Sequence, residues 1–343
     1  MKLLALVLGI FAVLTVVLSV LLFTQGDDLQ QQVKRMARPY AFDFAAWEID
    51  MFPSVAKGIV FGQYEEEQGE ELVGRIRIVL EDEGIRGFPP LAFSFGETPY
   101  LLVVSPRDRI AYYQRVLLRL DMTVEEAEGL EYEIDGLGMS SLVVGLGGFA
   151  GIYPAPVAGG LSLRWTIETA VEEWLHQSLA FKSLGFEYIL DSIGIDNDTD
   201  IVTINETLVG MVSSEITDRV ISQYYADVED VPTDEEDPGF DFDAEMRETR
   251  RNVDRLLEEG KVEQAEGYME ERRLVFLENG YYIRKLNQAY FAFHGIYGTS
   301  PVSVSPIYAD LEELRARSQS PADFLDEVSD MKSYGDLKEA LDR

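Results

Sequence analysis

From Leu3 to Phe23 every residue is apolar, Gly, Ser or Thr. A helix of that length reaches across a hydrocarbon core of about 30 Å. The run ends Leu-Leu-Phe-Thr-Gln-Gly, a poor cleavage site, so residues 1–26 read as a retained signal anchor and not as a removed leader. Beyond it, residues 27–62 read as a helix broken at Pro39, with Tyr40, Phe42, Phe44 and Trp47 placed to dock a stalk onto the body. Leu72, Val73, Ile76, Val79 and Leu80 repeat at helical spacing and predict a second helix over 65–83. The stalk and docking segment then covers 27–90.

Period-two and short apolar runs predict strands over 91–95, 100–104 and 112–118, and a Gly-rich strand over 141–152. Thr123 with Glu126 three residues on is a capping-box pattern, opening a helix to about Leu137. Strong helices follow over 162–181 and 203–225. Residues 227–243 are acidic and carry Pro232, Pro238 and Gly239, which reads as a linker. After it come a helix hairpin over 244–259 and 262–278 about Gly260, a helix over 284–293, and shorter helices to Arg343. The class is α+β: a small mixed sheet with helices over 91–226, then a helical part over 244–343.

Composition narrows the chemistry. The chain has 62 acidic against 29 basic residues and a net charge of −33. Phosphate-rich partners would be repelled, which argues against nucleic acid and anionic lipid headgroups. There is no cysteine, so disulfides, thiol catalysis and thiolate metal sites are excluded. Any imidazole chemistry must use one of two histidines, His176 and His294. A single N-terminal anchor ahead of a large domain usually leaves that domain outside the cytoplasm, so a cell-membrane, single-pass, extracytoplasmic location is expected.

The segment most able to carry chemistry is Val171-Glu172-Glu173-Trp174-Leu175-His176, with Ile204-Asn205-Glu206-Thr207 thirty residues on. Residues four apart on a helix share a face, so Glu172 and His176 point the same way with Glu173 beside them. Apolar flanks (Trp174, Leu175, Leu179; Ile201, Val202, Leu208, Val209) place both motifs on packed helices.

This pattern resembles the H-E-x-x-H and downstream N-E of the gluzincins, the zinc metallopeptidases typified by thermolysin and the alanyl aminopeptidases. The likeness covers about residues 140–225 and includes Val144-Gly145-Leu146-Gly147-Gly148, where such enzymes pair a strand with extended substrate. The chain is more similar still to uncharacterised bacterial membrane-anchored proteins that carry H-E-W-L-H, I-N-E-T and L-N-Q-A-Y-F-A-F-H-G. The last motif is here Leu286 to Gly295. The resemblance implies Glu173 as general base, His176 and Glu206 as metal ligands, and peptide hydrolysis. It implies an oxyanion donor among His294, Tyr290 and Tyr297. The chain departs from the family twice. Glu172 stands where the first histidine should, and Gly210 where an Asp often supports that histidine.

Two outcomes follow. A Glu172/His176/Glu206 set can hold zinc, and as a harder site it lets Mn²⁺ or Mg²⁺ compete. Alternatively no metal is bound, and the protein is a pseudopeptidase that binds peptides or serves as a scaffold. Rival motifs fail. Pro154 and Pro156 forbid the helix that Gly145–Ala150 would need as a dinucleotide fingerprint. In the calcium-loop match beginning at Asp196, Ile201 replaces the required Gly and Thr207 the required Glu.

Overall fold

The structure is a computed structural model describing residues 27–43, 67–160, 162–192, 198–226 and 239–343. The apolar run over 3–23, the aromatics Phe44 and Trp47 and most of the acidic segment (227–238) lie outside the described residues. Among the described residues no helix is long and apolar enough to cross a membrane.

The chain is α+β. After α1 (Asp28–Ala37), a short 3₁₀ turn (Arg38–Tyr40) carries Pro39. Asp27 caps α1 in a capping box with Gln30, and α1 buries Val33 and Ala37. Helix α2 (Glu67–Asp82) buries Leu72, Ile76, Val79 and Leu80, the stripe its spacing predicts. Strands β2 (Tyr100–Pro106), β3 (Gln114–Leu118) and β4 (Met139–Gly145) form an antiparallel sheet in the order β3-β2-β4, and β1 (Phe93–Phe95) pairs in parallel with β5 (Ala155–Val157). Between β3 and β4, α3 (Val124–Asp135) starts on the Thr123/Glu126 capping box.

The Gly-rich strand stops at Gly145, seven residues short of the expected end. Beyond it the backbone turns to other partners. Leu146 N–H donates to Pro99 O at 3.1 Å and Gly147 O accepts from Ala158 N–H at 2.9 Å.

Helices α4 (Leu163–Leu179), α5 (Ser183–Ser192) and α6 (Thr199–Tyr224) follow. The side chain of Asp198 caps α6, so that helix begins four residues before the expected Thr203. The turn between α4 and α5 depends on Gly185. A Cβ there would lie 2.1 Å from the Leu179 carbonyl oxygen, a backbone atom that cannot swing away. Gly185→Ala is expected to cost about 1–3 kcal/mol, read as a lowered midpoint in urea denaturation.

The C-terminal helices are α7 (Phe242–Glu258), α8 (Val262–Glu278), α9 (Gln288–Gly295), α10 (Ile307–Arg317), α11 (Pro321–Ser329) and α12 (Tyr334–Leu341). Gly260, at φ +71°, makes the turn between α7 and α8. Helices α7 and α8 pack on each other in a cluster of their own, with Met246, Val253, Met269 and Phe276 buried, whereas α10, α11 and α12 share the core of the body. Ile307, Leu311, Phe324 and Leu337 pack in one cluster with Ile204, Leu208 and Val212 of α6 and Ile76 of α2. Helix α9 lies on the sheet, with Ala289 and Phe293 against Val103 and Leu142. It starts at Gln288, not Arg284, because Asn287 caps it and the preceding Arg284 and Lys285 reach Glu131.

Candidate metal centre

Helices α4 and α6 lie side by side. Arg164 pairs with Asp218 at 2.6 Å, Glu168 hydrogen-bonds Ser214, and His176 faces Glu206. The first step is four residues forward on α4 and four back on α6 and the second is eight forward and eight back, so the helices run antiparallel in one register. In that register Glu172 falls opposite Gly210. A Cβ at Gly210 would meet nothing within 4 Å, so there is open room beside that position. The like-charge contact that an acid at 210 would make with Glu172 is absent.

Glu172, His176 and Glu206 converge, each offering one ligand atom, and these atoms all lie within 4.8 Å of one another. His176 Nε2 stands 3.5 Å from Glu206 Oε2. Two ligands at about 2.1 Å on a tetrahedral cation stand about 3.4 Å apart, so this pair is already spaced for one. The third ligand atom lies within 4.8 Å of both, so bringing it to the same spacing needs a shift of at most about 1.4 Å. His176 Nδ1 is buried without a hydrogen-bond partner among the described residues. The support that usually orients a metal-ligating imidazole is therefore missing. The donor set fits a divalent cation held by two carboxylates and one imidazole.

Glu173 points at the turn after β4. A Cβ at Gly148 would lie 2.5 Å from its carboxyl oxygen, so only glycine admits this side chain. The backbone N–H of Ala150 hydrogen-bonds it. A Cβ at Gly147 would likewise meet the Trp165 ring at 2.5 Å. The glycines therefore let the strand end approach α4.

Burial dominates the electrostatics. It pushes Glu173 up to about 8, aided by the nearby Glu172 and Glu206 and opposed by His176. It pushes Glu172 up to about 7, with His176 opposing and Glu206 and Glu168 assisting. For His176 burial acts downward, but Glu206, Glu173 and Glu172 outweigh it and raise the imidazole to about 9. Burial would raise Glu206. The His176 charge, hydrogen bonds from His176 and Tyr188, and Arg115 hold it below its usual value instead.

Tyr297 belongs to this neighbourhood. Burial raises its phenol well above the usual value, and Glu206 and Glu172 add to that. Gly298 N–H donates to Thr207 Oγ1 at 3.1 Å, tying this segment to α6 beside Glu206. His294 is placed differently. Its ring sits against Tyr290 at 4.2 Å and Phe293 at 5.0 Å between centroids. Burial alone lowers it to about 4, with no charged neighbour contributing. The structure does not bring His294 to the three ligands.

That burial makes His294 an acid-sensitive element. Its folded pKa of about 4 lies below the unfolded value of about 6.5. Its neutral form is therefore fully compatible with the fold above pH ~6.5, and stability falls as pH drops from there towards ~4. The ceiling is about 3 kcal/mol, reduced because the ring keeps some solvent contact. His294→Gln is expected to flatten this dependence, measured by urea denaturation at about pH 7.5 and about pH 4.5.

Three contributors were not visible in the sequence. Tyr188 on α5 stacks on His176 at 5.5 Å and 18°, and its hydroxyl donates to Glu206 Oε1 at 2.7 Å. Arg115 on β3 pairs with Asp191 on α5 at 2.5 Å. A lone arginine inside an apolar strand was the available signal for that pair; Tyr188 had none. No protein-family model matches the chain, nor does any curated protein or solved structure.

Proposed function

We propose that this is a membrane-anchored, extracytoplasmic, zincin-like peptide hydrolase. In this reading its cation is held by Glu172, His176 and Glu206, and its general base is Glu173. The observation that carries it is the convergence of three ligand atoms from two helices within 4.8 Å of one another. A bound zinc or manganese ion would acidify water and polarise the scissile carbonyl. Glu173, poised near neutral pH, takes a proton from water and returns it to the leaving amine. Tyr297 stays protonated and serves as a neutral donor to the developing oxyanion. The second carboxylate at 172 cancels more of the cation's charge than a histidine would, which predicts a slower enzyme.

The alternative is a pseudopeptidase that binds extended chains along Gly145–Gly148 without cutting. That backbone is already engaged, which counts against pairing a peptide there in either reading. Leu146 N–H bonds Pro99 O, Gly147 O accepts from Ala158, and Thr98 Oγ1 donates to Leu146 O. Incubating the protein with a mixed peptide library and Zn²⁺ or Mn²⁺ tests the choice by mass spectrometry. Cleavage abolished by chelation is expected. Peptide binding without cleavage in the metal-loaded protein would contradict the hydrolase.

A further inference from the structure

The two oxygens of Glu206 are not equivalent. Oε2 faces His176 Nε2 at 3.5 Å, whereas Oε1 accepts the Tyr188 hydroxyl at 2.7 Å. The phenol is held from two directions. Its ring stacks on His176. Its helix is fixed at the far end by Asp191, three residues on and so on the same face, which pairs with Arg115 of β3. Arg115 in turn lies over the Tyr112 ring at 5.0 Å. A line of contacts thus runs from the sheet through α5 to one oxygen of one ligand.

We propose that Tyr188 is the specificity-determining residue of the cation site: it restricts Glu206 to donation through Oε2 alone and so selects small cations of the zinc class over calcium. The inference rests on the cation site proposed above. Calcium collects six to eight oxygens at about 2.3–2.6 Å and often takes both oxygens of a carboxylate. Zinc is satisfied by four ligands at about 2.0–2.3 Å, one atom from each. Freeing Oε1 adds the oxygen that a larger ion needs and adds little for zinc. Arg115 and Asp191 are positioning residues, acting through Tyr188.

The test is a competitive titration of the full chain in detergent, stripped of metal, with Zn²⁺ and Ca²⁺, for the native protein and Tyr188→Phe. The ratio of the two affinities is the readout. A general loss of structure would weaken both ions together, whereas the proposal requires the ratio to move. Tyr188→Phe is expected to reduce the preference for zinc by about 10–100-fold. Zinc still bound with the ratio unchanged would overturn the proposal and leave the cation site standing. A native protein that binds neither zinc nor manganese would overturn the cation site itself. If Tyr188→Phe fails to fold, Asp191→Asn keeps the phenol but loosens α5. It is expected to shift the ratio in the same direction by a smaller factor, and an unchanged ratio there overturns the proposal equally.

Discussion

Glu173→Gln is expected to reduce peptide hydrolysis by about 10²–10⁴-fold while leaving the bound cation in place. Gln is close in shape to Glu and keeps an oxygen to accept the Ala150 N–H, so the turn at Gly148 has no reason to move. What it loses is the ability to take a proton. Glu173 is not one of the three converging ligands, so metal content should be unchanged. The measurement is a paired one, of cleavage rate and metal content on the same preparation. A cleavage rate unaffected by the substitution would assign the hydrolysis to a contaminant or to another base.

Arg284→Met is expected to destabilise the protein by about 3–5 kcal/mol, the cost of stranding a buried carboxylate. That carboxylate is Glu131, whose side chain is 4% exposed. Arg284 donates to both of its oxygens and also to Val143 O at 2.9 Å, while Val143 N–H donates to Glu131 at 2.6 Å. Lys285, 3.4 Å from Glu131, compensates in part, which places the expectation at the lower end of the range. The same network closes the outer edge of β4 and fastens the segment before α9 to the sheet. Denaturant unfolding of Arg284→Met, Glu131→Leu and the double variant would read the coupling. The double variant should recover much of the loss, because removing both charges leaves nothing stranded. A loss below about 1 kcal/mol for Arg284→Met would mean that solvent reaches Glu131 after all.

The sequence disclosed the elements whose signals are local. The four-residue spacing of Glu172 and His176, the apolar flanks of Glu206 and the Thr123/Glu126 capping box depend on neighbours along the chain, and each reappears in the structure. What stayed hidden depends on contacts between distant segments. Gly145–Gly148 read as a strand meant for a substrate, because nothing local says that its glycines make room for Trp165 and Glu173. Arg284 and Lys285 read as the first turn of a helix, because their partners lie some 150 positions earlier. Tyr188 sits in an ordinary apolar stretch, and its role exists only once α5 folds over His176. Beyond the acidic segment at 227–243, α7 and α8 form a cluster of their own, whereas nothing local in the sequence said that α10, α11 and α12 would pack into the core around α6.

The most direct test is the metal content of the full chain, purified without a metal-affinity tag. About one equivalent of zinc or manganese, lost on His176→Ala, is the predicted result, since zinc-type sites seat a single ion on three protein ligands. A protein that carries no divalent cation, and takes none up when zinc or manganese is supplied, would contradict the proposed metal centre.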